Sequence, residues 1–176
     1  MMHTPNEEPI SLVAYDEAWP ARFQHERLEL AQVLAPWLAG PIEHIGSTAV
    51  PGLLAKPVID IMAAVTDLAS TVPARAAAAT LGYVYFPYRP DVMHWLCKPS
   101  PAHRTHHLHL VPIGSPLWAD RITFRDYLRS DPEAATEYAA LKRQLATRFE
   151  FDREAYTDGK SAFVTGVLER ARADTR

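Results

Sequence analysis

Three short stretches of the chain carry residues whose chemistry goes beyond what packing needs. Gly46-Ser47-Thr48 follows a short apolar-edged run, Asp60 stands alone among Val58, Ile59, Ile61 and Met62, and "THHLHLV" (105–111) alternates imidazoles with leucines. Glycine lets the backbone turn tightly and approach a ligand closely. A serine opening a short helical segment offers its hydroxyl and amide to a phosphate at the positive helix end. Lys56, just before the strand that holds Asp60, is placed to bring a charge to the same anion. A carboxylate buried alone costs several kcal/mol unless it is paired, hydrogen-bonded or metal-bound. Asp60 is therefore either an ion-pair or sheet-edge residue, or a catalytic or metal-binding carboxylate facing a cleft.

Strand alternation groups these residues. Asp60 shares a face with Val58 and Met62, away from Ile59 and Ile61. His107 and His109 share a face with Thr105 and project together, about 6.5–7 Å apart. If the two strands are neighbours, Asp60, His107 and His109 form a ligand set for a divalent metal. Imidazoles suit zinc, iron, nickel or copper better than magnesium, which prefers oxygen. The same histidines could instead grip a phosphate or substrate, or be edge-strand residues bonded to backbone. His44 stands beside the glycine turn, and either it or Glu43 faces the cleft, since adjacent strand residues point to opposite faces. Among the later basic residues most belong to solvated helix faces. Arg125, Lys142 and Lys160 are the ones expected to close over a bound phosphate. Tyr138 and Tyr156 are placed either to stack on a base or to fill the core.

The elements that must position these groups are punctuated by fifteen prolines. Residues 10–15 read as a short strand. Asp16 is expected to cap a helix running to about Leu34, with Phe23, Leu30 and Leu34 on its buried stripe. Strands are expected over 42–45, 58–65, 83–86, 92–98 and 105–111, with an Ala-rich helix between Pro73 and Gly82. From about 116 to the end the chain reads as helices, one of them opened by a Ser130/Asp131 cap and Pro132. This order predicts an α+β domain: a small mixed sheet with helices packed on it and a C-terminal helical part. A chain of 176 residues is expected to form one domain over 1–176, with an N-terminal tail over about 1–9.

Composition narrows the setting. With 48% hydrophobic and 22% charged residues, the chain is an ordinary globular one. A net charge of −3 supplies no global attraction for nucleic acid or an anionic membrane, so neither is the expected partner. The single cysteine, Cys97, and the lack of a visible signal segment at the start fit a cytoplasmic setting.

A Gly-Ser turn with an aspartate in the next apolar strand resembles the DNA-polymerase-β-like nucleotidyltransferase superfamily. More closely, the chain resembles the GrpB family. The residues that carry this are "AYDEAWPARFQHE" (14–26), "IEHIGSTAVPGLLAKPVIDI" (42–61), "THHLHLV" (105–111), "FRDYLRSDPEAATEYAALK" (124–142) and "YTDGKSAF" (156–163). The resemblance implies a nucleotidyltransferase-like fold and a cleft for a nucleotide or phosphorylated small molecule. It also implies a relationship to a domain fused to dephospho-coenzyme A kinase in some bacteria. The chain departs from an active nucleotidyltransferase at Met62, where a second strand acid is expected. Two-metal phosphoryl transfer uses several carboxylates to hold its ions. Two functions are compatible with this: an enzyme working through Asp60, or a non-catalytic binding module that has lost the two-metal chemistry.

Overall fold

Alternation of large apolar side chains along the strands gives a sheet buried on both faces. The computed structural model describes residues 8–174, so most of the tail expected over 1–9 lies outside the described residues. Five strands, β1 (Leu38–Ile45), β2 (Ile59–Val65), β3 (Val84–Phe86), β4 (His94–Pro99) and β5 (Arg104–Pro112), form one sheet in the order β1-β2-β5-β4-β3. β2 and β5 run parallel, and the other neighbours are antiparallel. The sheet is mixed, as the order of elements predicts.

On one face Ile59, Ile61, Ala63, Val65, Leu96, Leu108 and Leu110 pack beneath two helices, α1 (Trp19–Val33) and α2 (Ala74–Ala79). α1 contributes Trp19, Phe23, Glu26 and Leu30, which recur at helical spacing. Each fully buried aliphatic side chain is worth about 1.5–3 kcal/mol, and cutting Leu108 to Ala would cost about 2–5 kcal/mol. The helix starts later than the sequence predicts. Asp16 accepts the Ala18 N–H at 2.8 Å, in a turn ahead of the helix, and the capping position is Ala18. Residues 10–15 also differ from expectation, because Val13 alone makes a bridge, to Ala55.

On the other face Ile45, Met62, Met93, Trp95, Cys97 and Val111 pack against Leu117, Trp118 and Ile122 of α3 (Pro116–Ser130). The Ser115 side chain caps α3 by accepting from Trp118 N–H. Asp131, not Ser130, caps α4 (Pro132–Arg148), accepting from the N–H groups of Glu133 and Ala134. Ser130 instead donates to the Tyr127 carbonyl. α5 (Arg153–Asp158) and α6 (Ser161–Asp174) complete the helical part. Leu128, Ala134, Tyr138 and Ala139 close over Val50 and Leu53, which fixes α4 above the β1–β2 connection. Among the described residues no helix is long and apolar enough to cross a membrane.

Candidate functional site

β1 ends where Ile45 pairs with Asp60 of β2, and the chain then turns at Gly46 into the single turn Ser47–Ala49. Two constraints demand glycine here. Its φ is +73°, and a Cβ would stand 2.6 Å from Asp60 Oδ2. The turn therefore rests directly on the carboxylate.

Parallel pairing of β2 with β5 sets Asp60 opposite His107 and Met62 opposite His109. Both imidazoles reach the acid, as alternation predicts. His107 Nδ1 lies 2.8 Å from Asp60 Oδ1, and His109 Nε2 lies 3.5 Å from the same oxygen. Burial pushes the Asp60 carboxyl up, but the two histidines outweigh it and hold it well below the usual range. Burial lowers His107, against the pull of Asp60. Burial, with Arg121 adding to it, lowers His109 to about 4. The site thus holds an ionised acid and two neutral rings. A carboxylate only accepts, so the His107 proton sits on Nδ1 and donates to Asp60. His107 Nε2 is buried and has no hydrogen-bond partner among the described residues.

Cations gather beside this acid and the Ser47 turn, most of them from the C-terminal part of the chain. Lys142 is buried, and its Nζ donates to Ser47 Oγ at 2.9 Å and to the Leu54 carbonyl. Burial, then the charges of Lys160, Lys56 and Arg143, lowers Lys142 to about 7. Lys160 also falls to about 7, through burial and then Lys56, with Asp60 opposing. Lys56 and Lys160 lie over the Tyr156 ring, 5.0 and 4.5 Å from its centroid. Arg121 is within electrostatic reach of Asp60, His109 and Lys160. Neither Lys142, Lys160 nor Arg121 forms an ion pair with an acid among the described residues. Arg121 is one of the later basic residues, most of which are expected on solvated helix faces, and it is not among those singled out from the sequence. Its helical spacing from Leu117, Trp118, Arg125 and Leu128 is the signal that it faces inward.

The structure brings Gly46, Ser47, Lys56, Asp60, His107, His109, Lys142 and Lys160 together, and takes three expected residues elsewhere. His44 points to the opposite sheet face, where its ring stacks on Phe23 at 4.7 Å and its Nε2 meets Thr48 Oγ1 at 2.9 Å. Burial lowers His44 to about 4. Thr48 is itself buried, so its hydroxyl serves this contact rather than a ligand. Arg125 donates to Glu43 at 2.6 Å, to the His44 carbonyl and to Asp126, at the free edge of β1. Glu43, His44, Thr48 and Arg125 also line a surface depression, with Tyr15, Phe23 and Arg129. Arg125 is already matched there by Glu43 and Asp126. Tyr138 and Tyr156 are core residues, Tyr138 stacking on Phe163 at 5.0 Å.

The donor set can be tested against metals. A pair of magnesium ions does not fit: Asp60 is the one acid of the cluster, and Met62 is buried in the second acid's place. For a single ion the ligand atoms of Asp60, His107 and His109 lie within 4.8 Å of one another, and an N₂O set suits zinc-like metals. The outer shell fits less well. A metal on His107 Nδ1 would leave the ring proton on Nε2, where metal-bound histidines normally have an acceptor and this one has none among the described residues.

Comparison with known proteins bears on the family and the fold. A family profile described as GrpB protein matches residues 9–170. A UPF0157 protein of Pseudomonas aeruginosa is 41% identical over 97% of this chain and 71% of its own length. A dephospho-CoA kinase of Mycolicibacterium paratuberculosis is 29% identical over 93% of this chain but only 46% of its own length. The crystal structure of conserved protein GrpB from Enterococcus faecalis superposes with a TM-score of 0.83 at 32% identity, over 94% of this chain and 99% of that one. A cytoplasmic RNA terminal U-transferase matches in fold alone, with a TM-score of 0.50 at 16% identity, over 80% of this chain and 43% of that one. The fold is thus nucleotidyltransferase-like, and the chain belongs to the GrpB family.

Proposed function

We propose that the cleft between the Gly46-Ser47 turn and α4 binds the phosphates of a nucleotide or phosphorylated small molecule, neutralising them with side chains rather than with two metal ions. The observation that carries this is the charge imbalance around Asp60. Lys160 and Arg121 both act on this one carboxylate, Lys142 stands on Ser47 within electrostatic reach of Lys160, and mutual repulsion with Lys56 adds to burial in depressing the two lysines. An arriving polyanion relieves that repulsion, restores both amines to their charged state and finds the Ser47 hydroxyl beside Lys142.

The carboxylate then has a defined part. Asp60 fixes the tautomer of His107 and leaves the Nε2 lone pair bare, which is the arrangement of a general base. The binding-module reading needs only the cations, whereas the enzyme reading needs this dyad as well. Thermal shift tests the shared part, since a ligand that binds only the folded state raises its melting temperature. Tripolyphosphate and ATP should each stabilise the wild type, and Lys142→Met and Lys160→Met should remove the shift. An equal shift in both variants would refute the phosphate site. A second reading, a single zinc-like ion on Asp60, His107 and His109, rests on their 4.8 Å convergence. It predicts stabilisation by zinc that Asp60→Asn abolishes.

A further inference from the structure

The sheet face that carries Asp60 continues past the histidines onto β4 and β3. Pairing of β4 with β5 places Trp95 opposite His109 and Cys97 opposite His107, and Phe86 pairs with Trp95 on β3. The His107 and Trp95 ring centroids are 5.0 Å apart. Phe86 and Tyr88 each meet Trp95 edge-on, at 6.0 and 6.1 Å. Trp95 is buried, but Phe86 and Tyr88 are each 42% exposed, with Val84 beside them at 41%. Two aromatic rings held by a buried third, next to a charged cleft, are not explained by packing the sheet.

The turn that presents Tyr88 is unusual. Arg89 has φ +48°, although it is not glycine and precedes Pro90. That conformation is one a bulky residue seldom adopts. It is secured by the Val92 and Met93 N–H groups bonding to the Arg89 carbonyl. The turn leaves Tyr88 and Arg89 close enough to Arg121 for each to influence its charge. Arg121 in turn reaches Asp60. The aromatic patch and the Asp60 site therefore adjoin on one face of the sheet, joined by the Trp95–His107 contact and the His107–Asp60 bond.

We infer that Phe86 and Tyr88 form a stacking shelf for the base of a nucleotide whose phosphates occupy the Lys142/Lys160 cleft. This rests on the proposed phosphate site and narrows its ligand to a nucleoside phosphate. The charge pattern selects that occupant. A group attached to a polyanion bound among the lysines has the aromatic faces beside His107 as its neighbour, with the Arg104 guanidinium 5.0 Å from the Trp95 ring centroid. A planar heteroaromatic base suits such a surface, because every base has a π-face and stacking tolerates any sequence.

The test compares ATP with tripolyphosphate by isothermal titration, in wild type and in Tyr88→Ala, Phe86→Ala and Tyr88→Phe. Wild type should bind ATP about 5- to 150-fold more tightly than tripolyphosphate. Each Ala variant should lose most of that margin while keeping its tripolyphosphate affinity, which also reports that it is folded. Tyr88→Phe should keep the margin. Equal affinity for both ligands in wild type would overturn the shelf and leave the phosphate site standing. Binding of neither would remove both. An ATP margin unchanged in the Ala variants would also overturn the shelf, and self-association of wild type that those variants abolish would assign the patch to a second copy of the chain instead.

Discussion

On one face of the sheet Glu26 accepts from Tyr83 Oη at 2.8 Å and from Lys98 Nζ at 2.5 Å, with His106 Nε2 at 3.8 Å. On the other face Asp60 meets His107 and His109. The three histidines come from a single strand, divided between the faces by the pleat. Glu26 is almost fully buried and has a lysine matched to it within hydrogen-bond distance. Asp60 is partly open, its hydrogen-bond partners are neutral, and two cations, Lys160 and Arg121, act on it. A closed account of charge marks a structural pair, and an unbalanced one marks a place for something else. The same residue types serve both ends, so residue type alone does not tell a structural acid from a functional one.

The largest expected effect tests the closed pair. Glu26→Gln strands the Lys98 charge and should cost about 3–5 kcal/mol in urea unfolding, with sulfate binding unchanged. A loss under about 1 kcal/mol would mean that Glu26 is not a structural counterpart to Asp60. Next comes the turn. Gly46→Ala combines a positive φ with a contact against Asp60 and should cost about 2–3 kcal/mol. Placing the same change in an Asp60→Gly background should recover the part due to the clash, a coupling that a double-mutant cycle reads directly. Additivity would show that the backbone conformation alone demands the glycine.

Asp60→Asn should behave unlike Glu26→Gln. It removes the one negative charge among the lysines, so the ligand-free protein should lose about 1–2 kcal/mol. Added sulfate should restore most of that loss, and sulfate affinity should rise. A fall in sulfate affinity would instead favour an ion held by Asp60. The smallest effect is on pH. Below pH 7 Lys142 and Lys160 are charged in both folded and unfolded chains. Between about 7 and their ordinary 10.5 the unfolded chain keeps protons that the folded protein has released. Ligand-free stability should therefore gain from these two groups as pH rises through that window. Sulfate, whose own charge is constant there, should bind progressively more weakly, with proton uptake near pH 7–8 by calorimetry in buffers of different ionisation enthalpy. A flat profile would place the lysines outside the anion site.

Much of the site is legible in the sequence because strands sort side chains by parity. The run ending at Val65 places Asp60 with Met62, and "THHLHLV" places His107 with His109, so their convergence needs only that β2 and β5 be neighbours. His44 shows the limit of parity. It separates His44 from Glu43, but only the packing of Phe23 from α1 decides which face is filled. Arg125 misleads for a related reason, since its partner Glu43 lies across the sheet edge and far away in the chain. Thr48 looks like part of a phosphate turn until the buried imidazole beside it is seen. Phe86 and Tyr88 stay hidden because a short strand does not announce which of its apolar residues remains uncovered.

Lys142 carries one more consequence, through the order in which a chain is made. Asp60 and both imidazoles emerge from the ribosome ahead of α4 and α6, and the sheet that holds them is complete at Pro112. Segments that can fold early during synthesis do so. Lys56 and Arg121 are made before α4, whereas Lys142, which bonds to Ser47 and Leu54, and Lys160 arrive only with the last third of the chain. Under the proposed function, the anion site therefore becomes complete only when that last third docks on the finished sheet.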